Sequence, residues 1–81
     1  MKYVIQVNLY MYNEETEKEY TQWNYLAVEG KLRLLIFEED ITNKTKIFNT
    51  ATEAGEYVDK YFGSDDARIQ FDRVRIMEVE I

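Results

Sequence analysis

From Lys2 to Tyr12 the odd positions carry Tyr3, Ile5, Val7, Leu9 and Met11, while the even ones include Gln6, Asn8 and Tyr12. A period of two belongs to a half-buried strand, whose successive side chains point to opposite faces. Residues 13–20, NEETEKEY, lose the pattern among four glutamates and a lysine. They predict a solvated hairpin loop or strand ends that run out into water, with a short helical turn as the variant. Gln22 to Glu29 returns to aromatic and β-branched residues. Glu29-Gly30 then stands between Val28 and Lys31, where glycine supplies the positive φ of a two-residue turn. Lys31 to Glu38 places Leu32, Leu34 and Ile36 on one face and Arg33, Leu35 and Phe37 on the other. Apolar residues on both faces predict a central strand.

The polar stretch EEDITNKT and the short run Lys46-Ile47-Phe48 lead to Thr50, with Glu53 three residues on. That is the capping-box spacing, so a helix is expected to start at Ala51. Ala51, Ala54, Val58, Tyr61 and Phe62 recur at three- and four-residue steps, and Gly63 suits a left-handed stop. Gly55, inside the helix, is expected to admit a closely packed neighbour, since otherwise it costs roughly 0.5–1 kcal/mol relative to alanine. Ser64-Asp65-Asp66 predicts a turn. The remainder to Ile81 is β-rich, but its alternation fails twice, which predicts a bulge near Asp72 and another break near Ile76.

Three strands, a helix and a final strand predict an α+β fold. It is a two-layer sandwich, a mainly antiparallel sheet of about four strands in β-β-β-α-β order with one helix on one face. The crossover through the helix is expected to be right-handed. The open face and the sheet edges are then the places for a partner.

Eighty-one residues make one domain, since a second core usually needs a chain of roughly 100–150 residues or more. No stretch approaches the roughly 18 uninterrupted apolar residues of a membrane span. The opening MKYVIQVNLYMY lacks a small-residue cleavage site and is broken by Gln6 and Asn8, so it is expected to be a strand of a cytoplasmic protein and not a signal peptide. With neither cysteine nor histidine, thiolate nucleophiles, cysteine-ligated metals and the usual neutral-pH proton shuttle are excluded. No cofactor is expected.

Sixteen acids against ten bases leave a formal charge of −6. The acids gather as Glu14, Glu15, Glu17 and Glu19, as Glu38, Glu39 and Asp40, and as Asp65 and Asp66. Carboxylates spaced on a rigid surface imitate a phosphate track and suit a channel lined by lysine and arginine; the plainer account is a solvated surface, since small domains commonly carry a charge of magnitude roughly 2–8. Tyr10, Tyr12, Tyr20, Trp23 and Tyr25 form a second candidate, because two adjacent strands bring them to one surface and such rings favour binding hot spots. Many of them are equally suited to covering the sheet. Neither Glu38-Glu39-Asp40 nor Asp65-Asp66 has the ligand spacing of a calcium loop. Paired acids for glycosidic or phosphoryl chemistry need a pocket that a chain of this size rarely encloses. Asn43-Lys44-Thr45 matches a glycosylation sequon, a coincidence in a turn for a protein that is not secreted. Arg33, Arg68, Arg73 and Arg75 give one face positive charge if the third and last strands are neighbours.

The strand MKYVIQV, the run Phe48-Asn49-Thr50-Ala51-Thr52-Glu53-Ala54 leading into Tyr57-Val58, and the terminal Val74-Arg75-Ile76-Met77-Glu78-Val79-Glu80 together resemble the very short accessory proteins of phages, prophages and mobile elements in Gram-positive bacteria. A subset of these look like anti-CRISPR or other anti-defence inhibitors. The resemblance implies a non-enzymatic protein in the host bacterial cytoplasm that blocks a defence nuclease, a CRISPR effector foremost. Glu14, Glu15, Glu17, Glu19, Glu38, Glu39 and Asp40 would then serve as phosphate substitutes, with Tyr20 and Trp23 as anchors. The expected partner is a protein, with no direct binding of nucleic acid or membrane. The alternative is a structural or regulatory module that self-associates, as a homodimer, through a sheet edge or aromatic face.

Overall fold

The computed structural model describes residues 1–29, 34–63 and 71–80. Strand β1 (Lys2–Asn13) is followed by β2 (Lys18–Glu29), β3 (Leu34–Glu38), helix α1 (Ala51–Phe62) and β4 (Phe71–Val79). All pairings are antiparallel and the sheet order is β3-β2-β1-β4, which is the expected α+β arrangement with one helix on one face. The helix-facing side of β1 is its apolar parity. Ile5 and Val7 join Leu26, Phe48, Ala54 and Phe62 in the core, bordered by Tyr3, Leu9, Phe37, Tyr57, Phe71 and Val74.

Helix α1 begins where its cap is. Glu53 N donates to the Thr50 hydroxyl at 3.1 Å, and Thr50 has the extended backbone of an N-cap. Lys2 Nζ donates to Asn49 Oδ1, which ties the start of β1 to the helix entry. The end of the helix differs from expectation. Gly63 has φ −92° and ψ −2°, a right-handed conformation, so it does not serve as a left-handed stop. Glycine fits there because a Cβ would stand 2.7 Å from the Asp59 carbonyl oxygen. Gly55 meets no such neighbour, as nothing lies within 4 Å of the place its Cβ would occupy; it is not a packing glycine.

Strand β3 is an edge strand, not a central one. Its two apolar faces have another cause. Leu35 and Phe37 pack toward the core, while Ile36 lies opposite Ala27 on the other face, where Ala27 and Val4 are fully buried. Both sides of the sheet therefore hold apolar surface. A two-residue turn at Glu29-Gly30 would set Leu26 opposite Arg33; Leu26 instead lies opposite Phe37, and Glu29 opposite Leu34. Residues 30–33 lie outside the described residues, as do the expected turn at Ser64-Asp65-Asp66 and the arginines Arg33 and Arg68.

Strands β1 and β2 separate beyond the pair Gln6 and Tyr25, and the strip 44–48 fills the gap. Val28 N donates to Lys44 O and Lys46 N to Leu26 O, both at 3.0 Å, while Tyr3 and Phe48 exchange two backbone bonds at 2.9 Å. Backbone groups that the splayed strands would leave unpaired are satisfied in this way. The bulge near Asp72 is present: Asn8 pairs with Arg73 and Leu9 with Phe71, leaving Asp72 as the extra residue. The second break is absent, since Ile76 pairs with Ile5 and Met77 with Val4 in continuous register. Alternation is weak there because β4 is an outer strand whose two faces are both partly exposed. Strands β3 and β4 run antiparallel at opposite edges, so the handedness rule for parallel strands does not govern the connection between them, and the third and last strands are not neighbours.

Candidate functional site: a protruding hairpin arm

Among the described residues β4 accompanies β1 as far as Leu9, and β3 accompanies β2 from Tyr25 onward. Beyond those points β1 and β2 continue alone among the described residues, through the pairs Tyr10 and Thr21, Met11 and Tyr20, Tyr12 and Glu19, and Asn13 and Lys18. At about 3.4 Å per residue these four pairs make a two-stranded arm roughly 14 Å long before its loop. Asn13 builds the loop: its Oδ1 accepts from Glu15 N at 2.9 Å and from Thr16 N at 3.4 Å. Glu17 closes it with φ 54°.

The arm is largely solvent-facing. Tyr10, Tyr12 and Tyr20 are 56%, 57% and 44% exposed, values at odds with a role in the core. Strand parity puts Tyr10 and Tyr12 on the face away from the helix and Tyr20 on the other, so the arm offers phenolic rings on both sides. Glu14, Glu15 and Glu17 occupy the loop, and Glu19 stands opposite Tyr12. A shallow open hollow of about 340 Å³ is lined by Tyr10, Met11, Tyr12 and Glu19. Tyr10 is steadied at the root of the arm, where its hydroxyl donates to Asp72 Oδ1 at 3.3 Å.

The other expected site residues lie elsewhere. Trp23, at the root, is half-buried, and the Arg75 guanidinium sits 3.9 Å from its ring centroid. Arg75 Nε also donates to Gln6 Oε1 at 2.7 Å, so this cation covers the indole instead of leaving it bare. Glu38 pairs with Tyr25, roughly 23 Å along β2 from Lys18 at ~3.3 Å per residue. Its Oε1 accepts from the Thr42 hydroxyl at 2.7 Å, which commits it to the turn before the filling strip. Glu39 and Asp40 are exposed beside it. The two acidic groups therefore form separate surfaces. Within that turn Thr45, the last residue of the sequon, is buried and its hydroxyl accepts from Thr42 N at 2.8 Å.

Tyr10 and Tyr12 belong to the aromatic set expected on one surface with Tyr20, Trp23 and Tyr25, but the register sets Tyr20 on the opposite face of the ribbon. Their signal is parity, since both continue the polar series Gln6 and Asn8 with large rings. A second hollow, about 240 Å³, lies between the helix and the outer sheet and is lined by Val28, Leu35, Lys46, Tyr57 and Tyr61. Among the described residues neither hollow presents two carboxylates. Among the described residues no three acidic side chains converge as a metal site would require, and no helix is long and apolar enough to cross a membrane. Compared with known proteins, the chain matches no family model, no curated protein and no solved structure.

Proposed function

We propose that the chain is a non-enzymatic binding protein of the anti-defence type. Its β1–β2 arm enters a basic groove on a protein partner, such as the nucleic-acid channel of a CRISPR effector or another host nuclease. The observation that carries this reading is the arm itself: a ribbon that has no flanking strand among the described residues and holds three exposed tyrosines and four glutamates. An isolated two-stranded ribbon is at best marginally stable in water, and exposed rings at its surface are better explained by a partner than by folding. Tyrosines bury large area at low entropic cost. Glutamates at the tip steer the arm toward positive charge and raise the association rate.

Within this reading Glu14, Glu15, Glu17 and Glu19 replace phosphates, and Tyr12 and Tyr20 are the anchors. Glu38, Glu39 and Asp40 are too distant to enter the same groove with the arm. Trp23 supports the root from beneath Arg75.

The test is a DNA-cleavage assay with purified CRISPR and restriction nucleases and increasing amounts of the chain. Inhibition that weakens with salt, as expected for exposed charges, and that disappears in Glu14→Lys/Glu15→Lys/Glu17→Lys/Glu19→Lys while the unfolding midpoint is kept, supports the reading. Full inhibition by that variant contradicts the phosphate-substitute role.

A further inference from the structure

Where β4 accompanies β1, the sheet face away from the helix holds a planar cation between a ring and an oxygen. The Arg75 guanidinium sits 3.9 Å from the Trp23 ring centroid, and its Nε donates to Gln6 Oε1 at 2.7 Å. Trp23 stands opposite Asn8 and Gln6 opposite Tyr25, so ring and acceptor lie on neighbouring strands and face the same way. The π face attracts the charge and the oxygen fixes its plane.

The arm repeats the ring and the acceptor on that same face. Tyr12 stands directly opposite Glu19, and Tyr10 lies two residues back along β1. Tyr3 exchanges its backbone bonds with Phe48, on the β2 side of β1, so odd positions of β1 bond toward β2 and even ones away from it. Tyr12 and Glu19 are therefore a non-hydrogen-bonded pair, the kind whose side chains approach most closely. The Tyr10 hydroxyl is held by Asp72 Oδ1, which fixes one wall. With Met11, these three residues line the open hollow of the arm.

The cation is what the arm does not repeat. Arg73, opposite Asn8, places its Nε 3.7 Å from the Asp72 carboxylate. Among the described residues cations stand over the rings of Phe48, Tyr61 and Trp23, and none over Tyr10 or Tyr12. Lys18 pairs with Asn13 and belongs to the other face of the ribbon. Two exposed phenolic rings and a carboxylate thus present the negative half of a contact that the fold completes for itself at Trp23.

Charge and shape together choose the occupant. A guanidinium lies flat on a tyrosine ring and offers a carboxylate two parallel N–H donors, whereas an ammonium is a point charge without a plane. We propose that the hollow receives the guanidinium of an arginine from a protein partner, stacked on Tyr12, bonded to Glu19 and walled by Tyr10. The proposal rests on the reading that the arm enters a basic groove, and it names the side chain that the groove must supply.

NMR titration of the chain with acetyl-Gly-Arg-Gly-amide tests it without any nuclease, so its failure and the failure of the inhibitor reading are separate results. In about 0.15 M salt, which screens distant charges, shifts should concentrate on Tyr10, Met11, Tyr12 and Glu19 and follow a Kd of about 1–10 mM. The lysine peptide should bind about threefold or more weaker, and the uncharged citrulline peptide about tenfold or more weaker. Glu19→Gln and Tyr12→Leu should each weaken the arginine peptide about threefold or more. Tyr12→Phe keeps the ring and should bind as the unaltered chain does, and Glu14→Gln, in the loop, should leave binding unchanged. Equal binding of the arginine and lysine peptides, shifts spread over the loop glutamates, indifference to Tyr12→Leu or to Glu19→Gln, or no saturable binding by about 50 mM overturns the proposal.

Discussion

Gly55 and Gly63 sit eight residues apart at the middle and end of one short helix, and their surroundings give them opposite roles. At Gly55 a methyl group meets nothing within 4 Å, so Gly55→Ala removes backbone entropy from the unfolded chain without strain and should stabilise by about 0.5–1 kcal/mol. At Gly63 the same methyl meets the Asp59 carbonyl at 2.7 Å, and Gly63→Ala should destabilise by about 1–3 kcal/mol. Urea midpoints that move apart with unchanged slope verify the pair; equal shifts contradict it. Sequence located both glycines but assigned each the wrong reason. A helical period says where a glycine falls and nothing about what stands beside it. The Thr50 cap, by contrast, was legible because its donor and acceptor lie within four residues of one another.

Among the elements, the strip 44–48 has an influence beyond its length. It bridges strands that have separated, and Phe48 at its end is 5% exposed with its ring edge-on to Tyr57 at 5.3 Å. Phe48→Ala leaves a cavity beneath the helix and loosens the strip, at a cost of about 3–5 kcal/mol. For a chain of this length that approaches the whole expected stability of roughly 4–12 kcal/mol. Thermal unfolding should show a broad, low transition or none, and a loss below about 1 kcal/mol would contradict the bridging role. The existence and type of the elements were readable from periodicity because that signal is local. The order of the strands was not: apolar residues on both faces of β3 suggested a centre, whereas the cause is a sheet that buries Val4 and Ala27 on the side away from the helix. Asp72 was readable as a bulge because one extra residue reverses strand parity.

For the molecule as a whole, the core, the cap and the filling strip gather at one end of the long hairpin, and the tyrosines and glutamates gather at the other. Sequence identified these glutamates as a group, yet it joined them to Glu38, Glu39 and Asp40, which the pairing of β2 with β3 holds far away. It could not show that, among the described residues, β1 and β2 outrun their neighbours, since strand length is visible in a pattern and strand accompaniment is not. The central claim is that the arm belongs to binding and the fold stands without it. Its most direct test replaces residues 12–19 with Asn-Gly, joining Met11 to Tyr20. These two residues are a directly opposed pair on β1 and β2 whose backbone groups face one another, as a two-residue turn requires. Thermal unfolding of the shortened chain should remain cooperative with a midpoint within about 5 °C of the full chain, corresponding to a change of no more than ~1 kcal/mol. A shortened chain that fails to fold, or melts more than about 15 °C lower, would assign the arm to the fold and contradict the account.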